Sequence, residues 1–158
     1  MADTKLYGIN RLRETLVVKE SVRRSMQGNT SRDTSPEVRL RQALWQAGFR
    51  GYRKHYRRWP GKPDVAFVGR HVAVFVHGCF WHGCPECTQG RLPATNTEFW
   101  RAKIERNRQR DATALEALSV AGVARVVLWE CEVRRDLTSC VAKVAQALAV
   151  SSECASKT

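Results

Sequence analysis

The alternation of apolar and polar residues divides the chain into three helices and four strands. The first helix is expected over residues 36–48, PEVRLRQALWQAG, where Val38, Leu40, Leu44 and Trp45 recur on one broad face. Ser35 is its expected N-cap, Pro36 fits the first helical position, and Gly48 ends it. Residues 49–59 alternate loosely and read as a strand that stops at the Pro60-Gly61 turn. Two short β-branched runs follow, 65–68 and 72–76, and Gly69-Arg70 between them makes a hairpin. Residues 77–96 carry Gly, Pro and Cys throughout and read as irregular. Thr95-Asn96-Thr97-Glu98 has capping-box spacing and opens a long helix, 97–118. Its core candidates are Trp100, Ile104, Leu115 and Leu118, and its outer face carries Arg101, Lys103, Arg106, Arg108 and Arg110. Gly122 stops it; residues 123–129 then read as a buried strand and 137–150 as a closing helix. This order predicts a mixed α/β sheet covered by helices. Residues 1–35 hold few large apolar side chains after Val18, although LRETLVVKESVRRSM could form a basic amphipathic helix.

Length and composition narrow the picture. A chain of 158 residues with 43% hydrophobic content suggests one domain with a real core. The expected organisation is an extension at 1–20, a domain at 21–150 with an arm (21–35) and a core (36–150), and a tail at 151–158. There is no run of about 18 apolar residues and no apolar N-terminal stretch, so neither a membrane span nor a signal peptide is expected. The expected location is the cytoplasm.

Charge changes the picture more. The net charge is +12, and residues 37–110 hold 15 Lys/Arg against 5 Asp/Glu, whereas residues 111–158 hold 5 against 6. A positive field concentrated in mid-chain favours a polyanion, of which nucleic acid is the commonest. A basic protein with no such partner is the plainer alternative.

The candidate chemistry lies in VHGCFWHGCPEC, residues 76–87. Cys79, Cys84 and Cys87 are spaced C-x4-C-x2-C, and Cys131 lies at the end of the last expected strand. Four thiolates suit tetrahedral Zn²⁺ and leave no position for water, so such a site would be structural and would tie the 77–96 loop to the far strand. His82 is an alternative fourth ligand. Of the other cysteines, Cys140 is expected in the core and Cys154 in the tail. Asp64 follows a turn and opens a strand within a basic surface, where a carboxylate can hold Mg²⁺ against a phosphodiester; alternatively it only caps the turn. His77 and His82 can act as general base or stabilise charge, or be ordinary loop histidines. Glu37 offers a second carboxylate, or a first-turn residue favoured by the helix dipole. Phe80, Trp81 and Trp100 can wedge into a base step or fill the space around the metal.

Taken in order, "RDTSPE", "PGKPD", "FVHGCFWH", "NTEFW" with "KIERNRQRD", and "WEC" resemble the very short patch repair endonuclease family, from about residue 21 to about residue 134. The resemblance implies a restriction-endonuclease-like core. It also implies an Mg²⁺-dependent nick of the thymine strand, 5′ of a T:G mismatch left by deamination of 5-methylcytosine. By the same resemblance Asp64 is the metal-binding aspartate, His82 the general base, His77 a second active-site histidine and Glu37 the helix glutamate. Phe80, Trp81 and Trp100 are the inserting aromatics, with Met26 wedging from the arm, and Cys79, Cys84, Cys87 and Cys131 the structural zinc ligands. Val76 stands where some members have threonine and can offer only its carbonyl to the metal. Cys84 stands where some have histidine, and Pro85-Glu86 lengthens that loop. The first 20 residues exceed the family pattern.

The implied partner is double-stranded DNA with a T:G mismatch, with mismatch-repair proteins as further partners. A monomer is expected, because one nick needs one active site. The flanking sequence tends in this family to match a companion cytosine methyltransferase. Two alternatives remain: a related nicking or defence nuclease acting on unmismatched DNA, and a zinc-stabilised DNA-binding module without activity. The presence of Asp64, His77 and His82 argues against the second.

Overall fold

The computed structural model describes residues 32–155, so the extension, most of the arm, the amphipathic stretch and Met26 lie outside the described residues. The order is α1 (Ser35–Gln46), β1 (Arg53–Lys54), β2 (Val65–Phe67), β3 (Val72–His77), α2 (Cys79–His82), α3 (Thr97–Val120), β4 (Ala124–Trp129), α4 (Glu130–Arg135) and α5 (Leu137–Ala155). The strands form one mixed sheet in the order β1-β2-β3-β4, with β1/β2 and β2/β3 antiparallel and β3/β4 parallel. The parallel crossover is supplied by α2 and α3, as such a pair requires.

Both faces of the sheet are covered, so β3 is a continuous apolar run rather than an alternating one. Its period of two still sorts the side chains. Val72 and Val74 pack with Leu40 and Leu44 of α1, Val133 of α4, and Cys140, Val144 and Leu148 of α5. Ala73 and Phe75 turn to the other face, with Leu118 of α3 and Val123. Truncating a fully buried side chain here, such as Leu40, costs about 2–5 kcal/mol.

Several sequence expectations need correction. The hairpin forms, but Val68–Arg70 is a 3-10 turn closed by His71 at φ +51°, so β2 ends at Phe67. Thr34, not Ser35, caps α1, and it does so without a side-chain bond to the backbone. Glu37 reaches back instead, accepting the Asp33 N–H at 3.0 Å and the Thr34 hydroxyl at 2.8 Å. Trp45 is 53% exposed rather than in the core, under the Arg50 guanidinium at 4.7 Å. The expected strand 49–59 shrinks to Arg53–Lys54. Asn96 caps α3 at φ +55° without the side-chain bonds of a capping box; the Thr97 hydroxyl donates back to the Pro93 carbonyl at 2.8 Å. The loop expected to be irregular contains α2, and α4 was not expected at all. Cys140 is buried as expected.

Candidate active site and cysteine cluster

Three groups of polar side chains gather where β3 and β4 end and β2 begins. The first is built around Asp64, immediately before β2. Its Oδ2 accepts the Val76 N–H of β3 at 2.7 Å, which fixes the carboxyl against the sheet. Burial raises its pKa to about 6, the Val76 hydrogen bond opposes the shift, and the charge of Glu37 adds to it. Glu37 is itself buried at 5% exposure and pairs with Arg41 at 3.5 Å. The structure therefore brings Glu37 and Asp64 into electrostatic contact although 27 residues separate them (64 − 37). Sequence reasoning missed the groups between them. His55 lies 3.8 Å from Glu37, 3.9 Å from Asp64 and 3.3 Å from Asp33, and Arg41 pairs with Asp33 as well.

The second group is a histidine pair at the end of β3. His77 ends β3 on the Phe75 side, next to α3. The rings of His77 and His82 stack at 4.0 Å with an interplanar angle of 10°. His82 Nδ1 is hydrogen-bonded to the Asp111 carboxylate of α3. Burial alone would raise the pKa of Asp111, but the bond to His82 and its charge outweigh it, so the acid stays ionised. An ionised carboxylate only accepts, so Nδ1 carries the proton and a neutral ring keeps its lone pair on Nε2. Burial, then the neighbouring His82, lowers His77 to about 4 and keeps it neutral near pH 7. Asp111 was missed as a site residue; its one signal was a lone acid after Arg106, Arg108 and Arg110.

The histidine loop is held by α3. Asn107 Nδ2 donates to the Trp81 carbonyl at 2.8 Å, and Arg108 donates to those of His82 at 3.1 Å and Gly83 at 2.5 Å. These bonds satisfy the carbonyls at the end of α2, which no further turn covers. Gly83 is required there: its φ is +62°, and a Cβ would meet Arg108 and Ile104 at 2.9 Å. Arg108, expected on the outer basic face, is thus a clamp. Arg108→Ala should lower stability by about 1–2 kcal/mol and displace His82; urea unfolding and the nicking rate check this.

The third group is the cysteines. The sulfurs of Cys79, Cys84, Cys87 and Cys131 all lie within 4.8 Å of one another, and Cys84 and Cys131 are 3.8 Å apart. Four thiolates at about 2.3 Å from one ion would lie about 3.8 Å apart, so the cluster can hold a tetrahedral metal. Cys131 supplies the fourth sulfur from α4, whereas His82 is turned to Asp111. Close packing shapes the loop: a Cβ on Gly90 would fall 2.1 Å from the Cys84 carbonyl oxygen.

The aromatic candidates form one cluster. Phe80 and Trp81 are half-buried, Trp100 is 8% exposed, and their rings meet edge-to-face at 5.1–6.1 Å. Lys103 lies 4.9 Å from the Trp81 ring and 5.2 Å from that of Trp100. Trp100 is thus the floor on which Phe80 and Trp81 rest.

A family model described as DNA mismatch endonuclease Vsr matches residues 16–89, through α1, the first three strands and the cysteine loop. The chain is 36% identical over 111 residues to the DNA mismatch endonuclease Vsr of Escherichia coli K12, covering 70% of each chain. This chain belongs to the Vsr family of DNA mismatch endonucleases. Vsr-like nicking enzymes are similar too. The type II nicking enzyme V.NmeAIP of Neisseria meningitidis serogroup A is 43% identical over 66% of this chain and 73% of its own. V.NaeI of Lentzea aerocolonigenes is 43% identical over 75% and 72%. As a Vsr-family endonuclease the protein hydrolyses DNA. Among its described residues no helix is long and apolar enough to cross a membrane.

Proposed function

We propose that the protein is a cytoplasmic, monomeric repair enzyme with a restriction-endonuclease-like core, nicking the thymine strand 5′ of a T:G mismatch. The observation that carries this reading is the pairing of two sites at one end of the sheet. Asp64 is a half-buried carboxyl crowded by Glu37, and His82 is held by Asp111 with Nε2 available as a base.

A carboxyl whose ionisation is opposed by burial and by the charge of Glu37 suits a cation, so Asp64, with the Val76 carbonyl, fits Mg²⁺. When bound, Mg²⁺ supplies positive charge to the scissile phosphate. His82 Nε2 takes a proton from water as the water oxygen bonds to phosphorus and the bond to the leaving ribose oxygen breaks, that oxygen taking a proton from solvent. Asp111 stabilises the imidazolium that forms, and His77 fixes the ring plane by stacking. Glu37 orients water in the Asp64 pocket. The cysteine cluster fits structural Zn²⁺, which would hold both ends of α2 in place.

Phe80 and Trp81, on the Trp100 floor, are the wedge, with Met26 from the arm. A T:G pair stacks more weakly than a matched one, so insertion costs less there. The basic surface of residues 37–110 holds the phosphates as a salt-sensitive term. Mismatch-repair proteins are further partners on this reading.

Asp111→Asn keeps a hydrogen-bond acceptor but loses the charge. Single-turnover nicking should slow about 10²–10⁴-fold with duplex binding unchanged. A second reading, nicking of unmismatched DNA, is favoured by the relatives named type II nicking enzymes. Matched and T:G duplexes in Mg²⁺ separate the two, since equal cleavage of both would favour the second.

A further inference from the structure

His55 is a third histidine, in neither the stacked pair nor the cysteine cluster. It follows β1 with φ +46°, a left-handed conformation that non-glycine residues rarely adopt. Its backbone N–H donates to the Asp64 carbonyl at 3.2 Å, which locks the two residues together. Such strain persists where the surroundings enforce it, and it is often found at functional sites. Here it aims the ring between three carboxyl groups.

The ring's two nitrogens have different neighbours. Nε2 lies 3.3 Å from Asp33 Oδ1. Asp33 Oδ1 also pairs with the Arg41 guanidinium, so Asp33 is an acceptor. Nε2 therefore carries the proton, and a neutral ring presents its lone pair at Nδ1. Nδ1 faces Asp64 Oδ1 across 3.9 Å. That is too long for a hydrogen bond, and two acceptors facing each other leave both wanting a positive partner. Two ligands about 2.1 Å from one ion lie about 3.0 Å apart when adjacent and about 4.2 Å when opposite, so the gap spans one cation. The Nε2 side already has positive charge, because Arg41 pairs with both Asp33 and Glu37.

A carboxylate that orients a metal-ligating histidine through its other N–H is a recurrent arrangement. We propose that His55 Nδ1 is a direct ligand of the divalent cation held by Asp64, oriented by Asp33, giving the pocket a nitrogen donor that favours Mn²⁺ over Mg²⁺. This rests on Asp64 being the cation site. The preference follows from ligand chemistry: oxygen donors alone suit Mg²⁺, whereas imidazole favours transition metals.

The test loads the full chain, its cysteine site kept in Zn²⁺, with one equivalent of Mn²⁺. Pulsed electron paramagnetic resonance then reads ¹⁴N coupling to Mn²⁺, and calorimetry reads Mn²⁺ and Mg²⁺ affinity. The wild type should show imidazole ¹⁴N coupling. His55→Asn, whose side chain tolerates a positive φ, should lose it and bind Mn²⁺ about tenfold more weakly, with Mg²⁺ less affected. Asp33→Asn, at an exposed position, should keep the coupling and weaken Mn²⁺ about tenfold, which tests the orienting role without touching His55. No coupling in the wild type, or the same coupling in His55→Asn, overturns the assignment of His55 while the Asp64 site stands. Unchanged Mn²⁺ binding in Asp64→Asn overturns the Asp64 site itself.

Discussion

Asp64→Asn should abolish nicking and yet make the metal-free protein more stable at neutral pH. The carboxyl of Asp64 has its pKa raised from 3.8 to about 6, first by burial, with the charge of Glu37 adding to it. A raised carboxyl pKa favours the folded state fully below the unfolded value, and that contribution is lost as pH rises through the folded one. Wild type and Asp64→Asn should therefore have parallel stabilities below about pH 4. They should diverge between pH 4 and 6, with the asparagine variant ahead by about 1–3 kcal/mol above that range. The amide oxygen can still accept the Val76 N–H, so the local geometry survives. Mg²⁺ should restore stability to the wild type alone, because only the charged side chain gains from it. Nicking should fall by about 10³-fold or more, as expected when a cation that stabilises the phosphate charge loses its ligand. Urea unfolding across pH, with and without Mg²⁺, reads the stability. Lower stability of the variant at pH 7.5 would mean that Asp64 serves the fold rather than a cation.

The second large effect belongs to the cysteines. The purified protein should carry about one Zn²⁺ per chain, and Cys84→Ala or Cys131→Ala should lose it. Zinc sites of this type contribute folding free energy directly. The loss should exceed about 4 kcal/mol, the exceptional end for single substitutions. The reason is positional. Cys79 begins α2, His82 ends it, and Cys84 follows, so the segment carrying the histidine sits between two sulfurs of the cluster. Few apolar side chains anchor residues 85–99, all of which are exposed or half-buried. Activity should fall with the metal, and amide protection should fall throughout, first in α2 and residues 85–99. Metal analysis, thermal unfolding and hydrogen exchange check this. A zinc-free wild type with unchanged activity would remove the structural role.

The sheet and its long helices were legible because their signals are local. Val65 and Val72 open short β-branched runs, and Leu40, Leu44, Leu118 and Leu148 recur at helical spacing and are buried. Trp45 was misplaced because a broad apolar face on α1 extends past the area that α5 and β3 cover. The strand at 49–59 is cut to two residues because Gly51 at φ +81° and His55 at φ +46° leave the extended region on either side of Arg53–Lys54. Helix α2 was invisible in a Gly-rich run because Asn107 and Arg108, 25 or more residues away, complete its end.

The site was legible in part. Asp64, His77, His82 and the cysteine trio stand out as candidates because their residue types and spacing suit metal binding and proton transfer. Their partners do not. Asp111 meets His82 across 29 residues, and in the chain it looks like one acid on a solvated helix. His55 lies in RKHYRRW, within the run that reads as a strand, and only the fold turns it toward Asp64. Arg41 gives no signal in the sequence and is buried between Asp33 and Glu37.

Strand-specific nicking at a mismatch is tested most directly by one assay. Duplexes labelled on each strand, carrying T:G, C:G or T:A at one position within random flanks, are incubated with the protein and Mg²⁺. A single nick 5′ of the mismatched thymine, absent from C:G and T:A and absent in Asp64→Asn, is the predicted result, and the cleaved molecules report the preferred flanks. Equal cutting of all three duplexes, or nicking retained in Asp64→Asn, would contradict it.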